Sequence, residues 1–385
     1  MKLPLLAKII IAIGLGIGIG MVAPDFVVRA FNTFCGIFSQ FLGFMIPFII
    51  VGLVTPAIAN VGKTAGKLLC LTALLAYAFT SLSGLFAYSF STTLFPSFID
   101  GGNVAVLSAK GNVFLPFFSV TIPPIMDVMT ALVLSFMLGI GIAVADRGDT
   151  LRNTFNELEE IVMNTIAKAV IPLLPLFIMG LFMDMTASGK VGPVLKAFVS
   201  IIGIIFIMTV VLLIAQFCIA GIVVRRNPLR LLYNMLPAYF TALGTASSAA
   251  TIPVTLRQVQ KNGVRDEIAG FVVPLCATIH MSGSALKIVS CAVALMLING
   301  MEIHFTQVLS FILMLGITMI AAPGVPGGAI MSAIGLLASI LGFDSNMQGM
   351  MIALYISMDS FGTACNVTGD GAVALIMNRI SHESQ

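Results

Sequence analysis

The chain is 385 residues long, 59% hydrophobic and only 9% charged, with a mean hydropathy of +1.09 and a formal charge of +3. That composition excludes a water-soluble domain of this size and defines an all-α polytopic membrane protein. The small positive excess points to no nucleic-acid partner. The six cysteines (35, 70, 218, 276, 291 and 365) all lie in apolar runs, without the spacing of a disulfide framework or a metal site.

Apolar segments fall at 3–22, 35–59, 67–95, 126–145, 162–185 and 194–224. The first follows Lys2 and imitates a signal peptide, but it is long, lacks a convincing cleavage site and leads into further spans. It therefore reads as an uncleaved first helix. Its glycines alternate, so Gly14 with Gly18 and Gly16 with Gly20 each have the GxxxG spacing of a helix contact. Residues 96–124 read as an outer loop with Pro116 and Pro123-Pro124. Asp146–Glu160, with Asn156-Glu-Leu-Glu-Glu160, reads as a solvated helix face on the inner side.

The stretch 231–256 is broken at Leu243-Gly-Thr-Ala-Ser-Ser-Ala-Ala-Thr-Ile-Pro253, where small and hydroxyl residues separate two apolar halves too short to span. The stretch 305–343 is broken at Ala321-Ala-Pro-Gly-Val-Pro-Gly-Gly328, a run that no helix continues through. Irregular backbone at membrane depth survives only where it is buried in protein or lines a wet cavity. With the N-terminus inside, fourteen Lys and Arg fall on the inner side and four on the outer, and Lys287 within a span is the nineteenth. This bias holds only if each broken stretch enters and leaves on one side, which makes them re-entrant hairpins of opposite sense.

Between the hairpins, the span 268–299 carries Cys276-Ala-Thr-Ile-His-Met-Ser-Gly-Ser284 and Lys287. Gly283 with Ser282 and Ser284 marks the expected unwound point. His280, Ser284 and Lys287 share a face at i, i+4, i+7. His280 reads as a satisfied core residue or a titratable group. Lys287 reads either as a snorkelling side chain or as a counter-charge to Asp359, Asp370 or a ligand carboxylate.

The last span, 346–378, holds Asp359 and Asp370. Read as one helix, Asp359, Thr363, Asn366 and Asp370 follow i, i+4, i+7, i+11 and share an arc of about 60°. A carboxylate at mid-membrane costs roughly 2.5–3.5 kcal/mol on insertion scales, so each acid needs a cation, a donor or water. The stripe reads as a site for a cation and a polar solute. An intramembrane enzyme is the poorer reading, because two acids about 16 Å apart on one helix cannot share a proton. A channel is poorer too, because no ring of charge or repeated filter motif is present.

At these motifs the sequence resembles the glutamate transporter homologues, the dicarboxylate/amino acid:cation symporters. The resemblance covers nearly the whole chain. It rests on Ala246-Ser-Ser-Ala-Ala-Thr-Ile-Pro253, Pro274-Leu-Cys-Ala-Thr-Ile-His-Met281, Gly324-Val-Pro-Gly-Gly-Ala-Ile-Met331 and Asn366-Val-Thr-Gly-Asp370, with Met45-Ile-Pro47 as an earlier match. It implies eight transmembrane helices plus two opposed re-entrant helical hairpins, near 231–256 and 305–343, in a homotrimer in the cell inner membrane with both termini cytoplasmic. A scaffold over mainly 1–62 and 126–190 would hold an elevator-like transport domain over mainly 67–95 and 194–378.

The resemblance also implies roles. Asp359 would receive a substrate amino group, and Thr363 and Asn366 the substrate backbone. Ser247 and Ser248 would cap its carboxylate, with Val325, Gly327 and Gly362 completing the pocket. Asp370, with carbonyls near Asn366, Cys276 and His280, looks like one sodium site. Thr278, Met281 and carbonyls near Met319–Ala322 look like another.

Acidic-substrate members carry an Arg where this chain has Gly362, or one where it has Ala246, so a bidentate partner for a side-chain carboxylate is missing. The expectation is a cation-coupled symporter of a small neutral amino acid such as serine, threonine or alanine. The alternative is an acidic amino acid or dicarboxylate symporter using Lys287 as counter-charge. The family's Asn-Met-Asp-Gly-Thr is His280-Met-Ser-Gly-Ser284 here, so Ser282 removes one expected carboxylate. Sodium remains the expected coupling ion, with a proton on His280 as a second candidate.

Overall fold

The computed structural model describes residues 5–63, 67–98, 114–145, 149–189, 191–322 and 327–383. Residues 323–326, Val325 among them, and residues 99–113 of the 96–124 stretch lie outside the described residues. The described chain contains helices and no β-strand. In order these are α1 (Leu5–Gly20), α2 (Asp25–Lys63), α3 (Lys67–Leu94), α4 (Val128–Val144), α5 (Thr150–Thr165) and α6 (Ile171–Ala187). Then come α7 (Val191–Val224), α8 (Pro228–Thr245), α9 (Ser248–Lys261), α10 (Asp266–Ile279), α11 (Ser282–Ile298), α12 (Phe305–Ile320), α13 (Gly328–Leu341), α14 (Ser345–Ser357) and α15 (Asp359–Glu383).

Five helical runs are long and apolar enough to cross a membrane: Asp25–Ala59, Leu68–Ser97, Thr150–Ala187, Val194–Val224 and Asp266–Ile298. With the shorter apolar helices α1, α4, α12 and α13, they make this a multi-pass membrane protein. The α10–α11 run differs from the others, because 94% of its most apolar window is buried inside the protein rather than offered to lipid. An apolar helix wrapped by other helices can carry polar groups that lipid would not tolerate.

The helices pack as two groups. In one, α1 lies along α6, and α2 lies against α4, α5 and α6. The contact of α1 with α6 uses Gly16 and Gly20. A Cβ on Gly16 would stand 2.5 Å from the Met179 carbonyl oxygen, and one on Gly20 would stand 2.7 Å from that of Met183, whereas Gly14 and Gly18 face open space. Of the two glycine pairs in the sequence, one makes the contact. In the other group, α3 packs on α11 and α12, and α15 is surrounded by α7, α8, α9, α10 and α11. The groups meet where α13 touches α2 and α4, and where α14 touches α1 and α6.

The two broken stretches form helix pairs. Asn227 caps α8 by accepting from Leu229 N (3.0 Å) and Arg230 N (3.3 Å), and Pro228 presets the first turn. The helix ends at Ala246 in the left-handed region (φ 49°), and Ser247 then caps α9 by accepting from Ala250 N at 3.3 Å. At 18 and 14 residues, α8 and α9 reach about 27 and 21 Å, short of a hydrocarbon core. Amide side chains close the base of each pair. Asn234 Nδ2 donates to Asn262 Oδ1 (2.8 Å), and Gln307 Nε2 donates to the Ile340 carbonyl (2.7 Å).

Two expectations need correcting. The break in the seventh apolar segment falls at His280–Met281, not at Gly283, which lies inside α11. Gly283 serves close approach instead, since a Cβ there would stand 2.5 Å from Cys365 Cβ and 2.8 Å from the Gly362 carbonyl oxygen. The last segment is not one helix either, because Met358 (φ −116°, ψ 11°) interrupts it between α14 and α15. The stripe from Asp359 to Asp370 survives, because all of it lies within α15.

Candidate functional site: a buried polar seam between α11 and α15

The first turn of α15 meets the start of α13 and α11 at Asp359. Its Oδ2 accepts from Gly327 N at 2.8 Å, and its Oδ1 lies 3.6 Å from Lys287 Nζ. Gly327 is the N-cap of α13 with φ 77°, a conformation that favours glycine, and its N–H lies at the positive end of that helix. Lys287 is 1% exposed. Its ammonium also donates to the carbonyls of Met358 (3.2 Å) and Asp359 (3.5 Å) and sits 3.9 Å from the centroid of the Tyr355 ring. Lys287 thus lies buried beside Asp359 rather than extended toward a membrane interface. Gly362 makes room for it, since a Cβ there would stand 2.2 Å from Lys287 Cε and 2.3 Å from Nζ.

Deeper along α15, Asn366 caps α11. Its Oδ1 accepts from Gly283 N (2.8 Å) and Ser284 N (3.2 Å), satisfying two of the helix's unpaired donors. Its Nδ2 and the Tyr355 hydroxyl both donate to Ser284 Oγ at 3.1 Å. The side chains of Asn366, Ser284 and Tyr355 thus form one buried network. Thr363 Oγ1 bonds back to the Asp359 carbonyl at 3.2 Å.

One turn further, Asp370 Oδ1 lies 2.8 Å from His280 Nδ1, and both residues are 1% exposed. Beside this pair stand buried polar atoms without a partner among the described residues: His280 Nε2, Ser282 Oγ and both polar side-chain atoms of Gln216. Two of them converge with the His280 ring on Gly369, where a Cβ would stand 2.7 Å from His280 Cε1, 2.8 Å from Gln216 Oε1 and 3.5 Å from Ser282 Oγ. Buried polar groups are normally paired, so this cluster is suited to a small polar guest.

Other sequence-predicted residues lie differently. Ser247 is engaged as the cap of α9, and Ser248 follows it, buried, in the first turn. Cys276 is buried, and its carbonyl accepts from His280 N at 2.9 Å. Met281 is buried at the break. Thr278 is exposed and bonds back to the Leu275 carbonyl at 2.8 Å. A cavity of about 490 Å3 opens elsewhere, lined by Asn32, Gln40, Asp184 and Asp344, and it contains none of these residues.

Sequence reasoning missed α3. Its Thr80 hydroxyl accepts from Met281 N (3.3 Å), and Ser83 Oγ donates to the Ser282 carbonyl (2.7 Å), so α3 satisfies the freed backbone of the α10–α11 break. The run Thr80-Ser-Leu-Ser83 inside an apolar span was the available signal. Gln216 on α7 was missed as well.

A deeply buried polar seam, bounded by two pairs of short helices inside a multi-pass membrane protein, is the arrangement of a secondary transporter. Residues 5–380 match the sodium:dicarboxylate symporter family, and the chain belongs to it. It is similar to serine/threonine transporters of Acinetobacter baumannii, one at 29% identity over 385 residues and another at 28% over 384, each alignment covering 96% of this chain and 95% of the relative. It is also similar to excitatory amino acid transporter 1 of Bos taurus, 31% identical over 245 residues, which span 62% of this chain and 44% of that protein.

Proposed function

We propose that the chain imports a small neutral amino acid, serine or threonine, together with sodium. The observation that carries this reading is the pairing of Asp359 with Lys287. Asp359 is an acid placed to receive an ammonium group. Lys287 is the cation beside it, and its ammonium is engaged by the carbonyls of Met358 and Asp359 and by the Tyr355 ring as well as by Asp359. With Gly362 and Ala246 where acidic-substrate members carry arginine, a side-chain carboxylate would enter without an unmatched counter-ion, which is costly in a low-dielectric site. The serine/threonine transporters that align over nearly the whole chain support the same reading.

Sodium would bind along α15. Asp370 supplies a carboxylate, and the unpartnered polar atoms around Gly369 supply further ligands of the kind a hard cation takes. The two packing groups correspond to a scaffold over mainly 1–62 and 126–190 and a moving domain over mainly 67–95 and 194–378. The pairs α8–α9 and α12–α13 would be re-entrant hairpins of opposite sense among eight spans. The protein would work as a homotrimer in the inner membrane, with both termini in the cytoplasm.

The test is uptake of radiolabelled serine and aspartate into proteoliposomes, with and without an inward sodium gradient. Serine uptake that collapses without the gradient, and aspartate uptake at background, is the expected result. Sodium-driven aspartate uptake would reject the neutral-substrate assignment.

A further inference from the structure

We infer that Lys287 is a tethered occupant of the ammonium subsite on Asp359, which a substrate amino group must displace. The inference rests on the functional reading above and deepens it. Three observations converge. The Lys287 ammonium lies 3.6 Å from Asp359 Oδ1, where an amino acid's own ammonium would pair. The side chain is held there from several directions, by the carbonyls of Met358 and Asp359 and by the Tyr355 ring. Gly362 leaves the space that the lysine fills, because any Cβ at that position would collide with Cε and Nζ.

An incoming ammonium exchanges with Lys287 on Asp359. The displaced lysine keeps the two carbonyls and the aromatic face, so its charge is not stranded. The empty pocket therefore holds a neutralised carboxylate, and affinity is lowered by the fraction of molecules in which the lysine sits on it.

The experiment is serine uptake by the full chain in proteoliposomes, comparing the unaltered protein with Lys287→Met, Gly362→Ala and the double variant. Lys287→Met removes the charge and keeps the bulk, and Gly362→Ala pushes the lysine off Asp359. Each lowers the KM for serine by about five- to tenfold, and the double variant matches Lys287→Met alone, because both act on one contact. The gain is specific to ligands with an amino group, so glycerate, in which a hydroxyl replaces the amino group of serine, gains less as a competitor.

An unchanged or raised serine KM in Lys287→Met overturns the inference, as does an equal gain for glycerate, which would mean a generally loosened pocket. If Lys287→Met does not accumulate in membranes, Gly362→Ala decides alone, and an unchanged or raised KM there also overturns it. Absence of serine and threonine uptake by the unaltered chain is a different result. It would reject the functional reading, and the inference with it.

Discussion

Asp359 accepts from Gly327 at the start of α13 through one oxygen and faces Lys287 through the other, so removing its charge has two separable consequences. Asp359→Asn leaves a buried ammonium unmatched, and loss of one partner of a buried pair costs about 3–5 kcal/mol. We expect a lowered thermal midpoint in detergent together with loss of serine uptake. In Asp359→Asn with Lys287→Met, neither charge remains. The midpoint should recover most of the loss while uptake stays absent, and a double variant as unstable as the single one would show that the pair does not set stability. Ala246 carries a different cost. It sits at φ 49°, where a Cβ is disfavoured by about 1–2 kcal/mol. Ala246→Gly should therefore raise the midpoint, by up to about 1 kcal/mol in stability, as read by thermal unfolding.

At the scale of elements, the contact of α1 with α6 shows how backbone proximity decides which of two equivalent patterns is used. Gly16→Leu or Gly20→Leu drives a side chain into the carbonyls of Met179 or Met183, and overpacking of this kind costs about 1–3 kcal/mol. Gly14→Leu and Gly18→Leu point a side chain into open space and should leave the thermal midpoint unchanged. Equal losses in all four would contradict the packing described here. The α10–α11 break follows a similar logic. The break itself is supported by hydroxyls of α3, so the seam depends on an element that carries none of the recognised motifs.

At the scale of the whole molecule, the two packing groups touch where α13 crosses α2. There the Cβ that a side chain at 335 would have lies 3.7 Å from Ile46 Cβ, within the span a disulfide requires. In a background freed of the six native cysteines, Ile46→Cys with Gly335→Cys should crosslink under mild oxidation. If the groups move past one another during transport, oxidation should reduce uptake by about tenfold or more, and a reductant should restore it. Uptake that persists in the fully crosslinked protein would require a mechanism in which this contact stays fixed.

Hydropathy, charge bias and local chemistry were sufficient for much of this protein. The apolar runs, the two interrupted stretches and the stripe from Asp359 to Asp370 all depend on residue type and helical period, which are local properties written in the chain. The break within Leu243–Pro253 was legible for the same reason, whereas the role of Ser247 as the cap of α9 was not read from the sequence. What the sequence left open were questions of partnership across long separations. Whether Lys287 snorkels or pairs, which glycine pair meets α6, why position 362 is glycine, and that α3 supports the break at His280 each depend on atoms brought together from distant parts of the chain. A residue's period shows which face it occupies. Only the packed structure determines what that face meets, because the energies that decide it come from excluded volume and charge pairing at contact distance.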